Sequence, residues 1–179
     1  MATTEQGSAG PVDRVTRVAL LGSGGSIGRQ TVDVLLRHRD SFRVIALATG
    51  SQARVLEEQA RQLRPSVVAL ANSRAAAGLD LPPGTAFAAG PDALQELATR
   101  PDVDLVVVAT GGLVALRSVL AALEAGKVVA TANKETLVAG GHLVMPLVRR
   151  LAAGAANAAG AVATLRLAAF CARSRDLRS

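Results

Sequence analysis

The chain has 179 residues and half of them are hydrophobic, so one domain with a substantial core is expected. Aromatic residues make up only 2% and the net charge of +6 is scattered, which disfavours nucleic acid and suits a small anionic ligand. Cys171 is the only cysteine, which excludes a disulfide framework. Because residues 1–14 lack the order of a signal peptide, we predict a short disordered lead, a cytoplasmic location and no membrane partner.

Apolar runs alternate with helical patterns along the chain. This alternation predicts an α/β fold with a doubly wound parallel sheet. The predicted strands span residues 17–21, 42–48, 67–70, 86–89, 103–109 and 127–131, and the predicted helices span 26–37, 52–63, 91–99, 113–124 and 141–151. We predict one domain over residues 15–150, and the last helix ends at its boundary.

The first predicted strand ends in a glycine-rich turn, Gly22-Ser-Gly-Gly-Ser-Ile-Gly28, and a helix follows at once. Glycines let a backbone turn sharply and approach a ligand closely, and a helix N-terminus can hold a phosphate. We interpret this stretch as the phosphate-binding turn of a Rossmann-like NAD(P)-binding domain, with Ser26 as the helix cap. The alternative is a tight strand–helix turn without a ligand, because such turns also use glycines.

The end of the second predicted strand favours NADP(H) over NAD(H). It reads Ala48-Thr-Gly-Ser-Gln52, with Arg54 close behind. NAD sites usually carry an acidic residue there for the ribose diol, whereas no carboxylate here would repel a 2′-phosphate. Asp40 is the only nearby acid, and it precedes the strand. The alternative is an ordinary helix-capping turn.

Three adjacent polar residues, Asn133, Lys134 and Glu135, follow the last predicted strand. Open α/β sheets bind ligands beyond the carboxyl ends of their strands, so these residues suggest contacts to a cofactor and a phosphorylated substrate. Lys134 would act as a point charge. The alternative is an Asn helix cap followed by a solvated ion pair. We interpret His38 as a surface residue and His142 as structural.

Together, the segments 22–28, 50–52 and Ala132-Asn-Lys-Glu-Thr-Leu-Val138 closely resemble the 1-deoxy-D-xylulose 5-phosphate reductoisomerase family of the non-mevalonate isoprenoid pathway. That family shows Gly-Ser-Thr-Gly-Ser-Ile-Gly, a Gly-x-Asn turn and Ala-Asn-Lys-Glu-Ser/Thr-Leu-Val. The resemblance covers about residues 15–150. It implies a homodimer that uses NADPH to convert 1-deoxy-D-xylulose 5-phosphate to 2-C-methyl-D-erythritol 4-phosphate.

The resemblance also implies two sets of binding residues. Lys134 would contact the phosphorylated sugar substrate. Gly24 stands where the family usually has Thr and Gln52 where it has Asn, and both changes keep the backbone role. The residues implied to contact NADPH are Gly24, Gly25, Ser26, Ile27, Gly50, Ser51, Gln52, Asn133 and Glu135.

The region that follows Lys134 departs from the family. There the family carries an Asp-Ser-Glu-His strand whose carboxylates, with a later Glu, bind magnesium or manganese, ions that require oxygen ligands. Residues 136–175 here contain no Asp or Glu, and only Asp176 follows. We therefore expect no metal ligands. A catalytically inactive NADP-binding fragment is the alternative to the family activity.

The remaining residues, 151–179, form an Ala/Gly/Arg-rich tail that resembles nothing in the family. We interpret the tail as an out-of-frame translation of a GC-rich gene, which would make the chain a truncated cofactor domain. The alternatives are an alanine-rich helix and a weakly hydrophobic membrane segment, which Arg166 disfavours. Short-chain dehydrogenases need a Tyr, which is absent, and semialdehyde dehydrogenases need a Cys nucleophile, whereas Cys171 lies in this tail.

Overall fold

The computed structural model describes residues 15–90, 92–155 and 165–167. Within them lie the strands β1 (Thr16–Leu21), β2 (Phe42–Thr49), β3 (Val67–Leu70), β4 (Ala86–Ala89), β5 (Leu105–Val108), β6 (Val128–Thr131) and β7 (Leu165–Leu167). The α-helices are α1 (Ser26–Arg37), α2 (Ala53–Leu63), α3 (Ala93–Thr99), α4 (Leu116–Glu124) and α5 (Lys134–Ala155). None of the described helices is long and apolar enough to cross a bilayer.

The strands form one parallel sheet in the order β4-β3-β2-β1-β5-β6-β7. The chain runs outward from β1 to β4, returns to place β5 beside β1, and continues to β7. This reversal puts the switch point between β1 and β5, where open α/β sheets bind their ligands. The predicted doubly wound parallel sheet is confirmed.

The first strand shows why the sequence folds this way. Ala19 and Leu21 of β1 join the core on one face of the sheet, and Val18 and Leu20 join the core on the other face. All four are fully buried, because helices cover both faces. A strand buried on both faces needs an unbroken apolar run, and the sequence of β1 provides one.

The last described helix and strand differ from the sequence prediction. Helix α5 begins at Lys134, well before the predicted start at residue 141, and it continues past Pro146 to Ala155. A Cβ at Gly140 would lie 2.6 Å from Leu116 Cδ1 of α4. The missing side chain therefore lets α5 pack closely on α4.

The strand β7 was not predicted, and it pairs in parallel with β6 over three residues. It extends regular structure beyond the predicted end at residue 151. Pro91, predicted to open α3, lies outside the described residues, and α3 begins at Ala93 after Asp92. The other predicted elements are confirmed, with bounds that shift by a few residues at most.

Candidate functional site

The glycine-rich turn lies at the switch point of the sheet. Gly22 has a φ of +91°, a left-handed conformation that favours glycine, and a Cβ there would lie 2.7 Å from the backbone nitrogen of Thr110. The backbone nitrogens of Gly22 and Ser23 both donate to the carbonyl oxygen of Ala48, each at 2.8 Å. The turn is therefore held between the carboxyl ends of β2 and β5.

Gly28 allows close packing of α1 against this turn. A Cβ at Gly28 would overlap the carbonyl oxygen of Gly22 and lie 2.7 Å from Ser23 Cα. Helix α1 therefore starts pressed against the turn, as the third glycine of a dinucleotide-binding fingerprint permits. Gly25 is different, because the nearest atoms to a Cβ there are 3.7 Å away. A side chain at Gly25 would therefore make only ordinary van der Waals contact with the carbonyl oxygens of Ala109 and Gly22.

The N-terminus of α1 carries no side-chain cap. The cap position is Gly25, not Ser26 as predicted, because Gly25 has the extended conformation (φ −73°, ψ 173°) that leaves the helix. Its carbonyl accepts the first helical hydrogen bond, from Arg29 N at 2.9 Å. The first turn of α1 also contains no acidic residue. Uncapped amides and the positive end of the helix dipole form a site for an anion.

The turn after β2 lies beside this site and is also free of carboxylates. Thr49 is buried, whereas Gly50, Ser51 and Gln52 are exposed. Gln52 occupies the cap position of α2 without a side-chain cap bond, and the first turn of α2 contains no acidic residue. The carbonyl of Gly50 accepts a hydrogen bond from Asn72 N at 2.9 Å, which fixes the turn to the end of β3. This environment suits a phosphate.

The third loop of the site follows β6. Asn133 is 4% exposed, and its Nδ2 donates to the carbonyl of Gly112 at 2.6 Å, which joins the end of β6 to the loop after β5. Its backbone nitrogen donates to Thr131 Oγ1 at 3.1 Å. Lys134 and Glu135 open α5, but their side chains lie outside the described part of the structure. The three predicted segments thus follow β1, β2 and β6 at one edge of the sheet.

Sequence reasoning missed two side chains that support the glycine-rich turn. Gln59 Nε2 donates to the carbonyl of Ser23 at 3.0 Å, and Arg29 Nε donates to the carbonyl of Gly24 at 3.0 Å. Gln59 is only 5% exposed and lies between Leu56 and Ala60 on the buried face of α2. The sequence signal for Gln59 is a polar residue that lies, by helical spacing, within the apolar face of its helix.

The opposite, amino edge of the sheet holds a cavity of about 720 Å³ and several ion pairs. Arg43, Arg61, Arg64 and Asp80 line this cavity, and Arg61 Nη2 lies 2.6 Å from Asp80 Oδ2. It is remote from the glycine-rich turn, so its size does not mark the candidate site.

Two other ion pairs lie at the amino edge. Arg17 donates from Nη2 and Nε to the carboxylate of Asp104, at 2.8 and 2.9 Å. The hydrogen bond that Arg17 donates to Asp104 raises the pKa of Arg17. The guanidinium of Arg100 donates to Asp102 and holds the pKa of that carboxyl below its ordinary value. These charges stabilise one another.

A sequence model of the family described as 1-deoxy-D-xylulose 5-phosphate reductoisomerase matches residues 18–141, more than half of the chain. The chain belongs to the 1-deoxy-D-xylulose 5-phosphate reductoisomerase family. The resemblance inferred from the motifs is thereby confirmed. The relative from Pelotomaculum thermopropionicum is 45% identical over 137 residues, which are 74% of this chain and 35% of that protein. The relative from Thermomicrobium roseum is 46% identical over 133 residues, again 74% of this chain and 34% of that protein.

Solved reductoisomerase structures share this fold. The enzyme from Zymomonas mobilis in complex with NADPH matches with a TM-score of 0.71 and 32% identity, over 86% of this chain and 38% of that one. A reductoisomerase in complex with NADPH, fosmidomycin and magnesium also matches with a TM-score of 0.71, at 30% identity, over 86% of this chain and 36% of that one. The chain spans about a third of the length of these relatives. NADPH and a divalent metal are thus cofactors of the family.

The described part of this chain brings together no ligand set that fits the family's metal. The described residues bring together no group of three His, Cys, Asp or Glu side chains. In the sequence, β7 is followed by Ala168, Ala169 and Phe170, and residues 136–175 contain no Asp or Glu. Magnesium and manganese require oxygen ligands, and this stretch offers no carboxylate.

Proposed function

We propose that this chain binds NADPH at the carboxyl edge of its sheet, as the cofactor domain of a reductoisomerase. The observation that carries the proposal is the turn from Gly22 to Gly28, in which Gly28 brings α1 against the turn and Gly25 leaves the helix amides uncapped. Backbone amides in this arrangement bind a pyrophosphate. The solved family structures with NADPH support the same cofactor.

We assign the predicted residues to three parts of the cofactor. The backbone of Gly24, Gly25, Ser26 and Ile27 would hold the pyrophosphate, since these residues form the turn and the first helical positions. The segment 50–52 would hold the adenosine end.

At that adenosine end, Ser51, Gln52 and the nearby exposed Arg54 can approach a 2′-phosphate, because no carboxylate stands in the turn. Beyond β6, Asn133 and Glu135 would complete the cofactor site. We assign Lys134 to a phosphorylated sugar.

For the whole reaction we propose NADPH-dependent conversion of 1-deoxy-D-xylulose 5-phosphate to 2-C-methyl-D-erythritol 4-phosphate. NADPH supplies the hydride in this reaction. The residues of this chain hold the cofactor at the switch point and, through Lys134, hold the substrate phosphate.

A second candidate function is NADPH binding without turnover. One observation favours it, namely the lack of any Asp or Glu between residues 136 and 175, where oxygen ligands for a metal are required.

The experiment has a binding step and a turnover step. Calorimetric titration of the full chain with NADPH and with NADH should show saturable binding that favours NADPH. Oxidation of NADPH is then followed with 1-deoxy-D-xylulose 5-phosphate and magnesium or manganese. Binding without oxidation supports the second candidate, and metal-dependent oxidation supports the complete reaction. A folded chain that binds neither nucleotide contradicts both.

A further inference from the structure

Gln59 makes a buried contact with the glycine-rich turn across a long stretch of sequence. Its Nε2 donates to the carbonyl oxygen of Ser23 at 3.0 Å, although the two residues are 36 positions apart. Ser23 is fully buried and Gln59 is 5% exposed. The bond is therefore shielded from water, and a water molecule cannot readily replace the amide as donor.

This bond joins the two segments that flank the candidate cofactor site. Ser23 belongs to the turn before α1, and Gln59 belongs to α2, which begins directly after the segment 50–52. The nitrogens of Gly22 and Ser23 are already bound to Ala48, so the Gln59 amide adds a tie on the carbonyl side of the turn.

Stability alone does not account for a glutamine at this position. Gln59 Oε1 and Ser23 Oγ are both buried without a hydrogen-bond partner among the described residues. An unpaired buried polar atom lowers stability, whereas apolar side chains fill the neighbouring buried positions at Leu56 and Ala60. The amide therefore serves the turn more than it serves the core.

We propose that Gln59 is a positioning residue for cofactor binding, an inference that rests on the proposed function. It holds the Ser23 carbonyl and so keeps the amides of Gly24 to Ile27 at the edge where a pyrophosphate would bind. It also fixes α2, and with it the adenosine end of the site, relative to the turn.

The first test is Gln59→Glu, with Gln62→Glu as the matched control on the same helix. A carboxylate at position 59 cannot donate to Ser23 and repels its carbonyl, whereas a protonated carboxyl can donate. Burial raises the pKa of a carboxyl, so protonation falls within a usable pH range. A groove between α1 and α2 is lined by both Gln59 and Gln62, and Gln62 is exposed.

The readout is the Kd for NADP⁺, which withstands acid, measured from about pH 5 to about pH 8. At about pH 8, we expect Q59E to bind NADP⁺ about tenfold more weakly than the wild-type chain. At about pH 5, we expect its affinity to approach that of the wild-type chain. The charged neighbours in the groove, Arg29, Asp33 and Glu58, and the 2′-phosphate are the same in every variant. The Kd ratio to the wild-type chain at each pH removes their contribution.

A second variant, Gln59→Met, removes the donor without adding charge. Hydrogen exchange of the peptide that spans Gly22 to Gly28 is measured without cofactor, with Gln62→Met as control. We expect faster exchange in Q59M only. A Kd ratio for Q59E that equals that for Q62E at every pH, or exchange in Q59M equal to that in Q62M, overturns the proposal. Failure of the wild-type chain to bind NADP⁺ instead overturns the proposed function, while the exchange still decides whether Gln59 holds the turn.

Discussion

The two edges of the parallel sheet are built from different chemistry. At the amino edge, arginines and carboxylates pair with one another, as Arg17 does with Asp104 and Arg61 with Asp80. At the carboxyl edge, the loops after β1, β2, β5 and β6 contain no Asp or Glu, although Glu135 follows in the first turn of α5. The cavity of about 720 Å³ and the ion pairs lie at the amino edge, yet we propose the cofactor site at the other edge.

We therefore place the proposed site by uncapped backbone groups and not by the number of charged residues. An arginine that is paired with a carboxylate is less available to bind another anion, and a surface ion pair adds little stability. The first turn of α1 has neither a side-chain cap nor an acidic residue. Substitutions at the carboxyl edge should therefore alter cofactor binding, and substitutions at the amino edge should alter stability slightly.

The largest effect is expected for Gly28→Ala. Its methyl group would overlap the Gly22 carbonyl, and backbone cannot move aside as a flexible side chain can. We expect the free energy of unfolding to fall by about 3 kcal/mol, with loss of NADPH binding. Urea denaturation measures the change. Gly50→Ala is the control, because no atom lies within 4 Å of its Cβ position. Equal stability of the two variants would contradict the close packing of α1 on the turn.

Gly25→Ala should separate binding from folding. Its backbone angles suit alanine and the nearest atoms are 3.7 Å away, so the loss at the helix cap should stay below about 1 kcal/mol. The added methyl group would lie beside the helix amides, 3.7 Å from the carbonyl oxygens of Ala109 and Gly22, where we propose that the pyrophosphate binds. NADPH affinity should fall at least about tenfold, which equals about 1.4 kcal/mol. Fluorescence titration measures it, and unchanged affinity would place the pyrophosphate elsewhere.

Ser51→Glu should reverse the preference for the phosphorylated cofactor. A carboxylate after Gly50 would repel a 2′-phosphate and could bind a ribose diol. We expect the ratio of NADPH to NADH affinity to fall about tenfold, about 1.4 kcal/mol. The control is Ser66→Glu, which adds the same charge within the arginine-lined cavity at the amino edge. A similar change in both variants would show a general charge effect and no specific contact at Ser51.

The smallest effect is expected at the amino edge, for Asp102→Asn. Arg100 lowers the pKa of Asp102, so the pair stabilises the fold above the ordinary carboxyl pKa, and this contribution is lost as pH falls through the lowered value. Both side chains are about one third exposed, and solvent screening limits the effect to about 0.5 kcal/mol at pH 7. Urea denaturation near pH 7 and near pH 3 should show the difference shrinking at the lower pH, with NADPH affinity unchanged at pH 7.

Local patterns were sufficient to predict most of the fold. The apolar run of β1 and the glycines after it are properties of adjacent residues, so the strand, the turn and α1 could be predicted from sequence. The start of α5 could not be predicted, because the need for glycine at position 140 arises from its contact with Leu116 of the neighbouring helix. The contact between Gln59 and Ser23 joins distant residues in the same way.

The end of the chain shows a different limit. Strand β7 has only three residues, too few for a sequence pattern to predict it. Its strand conformation depends on its pairing with β6. The interpretation of residues 151–179 as an out-of-frame translation stays a prediction. Sequencing the locus tests it, since a shifted reading frame should then encode Asp-Ser-Glu-His.

The most direct test of the central claim is an NMR titration of the ¹⁵N-labelled chain with NADPH. The account predicts saturable amide shifts across Gly22 to Gly28 and across residues 50–52, at the carboxyl edge of the sheet. Residues that line the amino-edge cavity, such as Arg43 and Arg64, should not shift. Shifts confined to that cavity, or no saturable shifts in a folded chain, would contradict a cofactor site built from the glycine-rich turn.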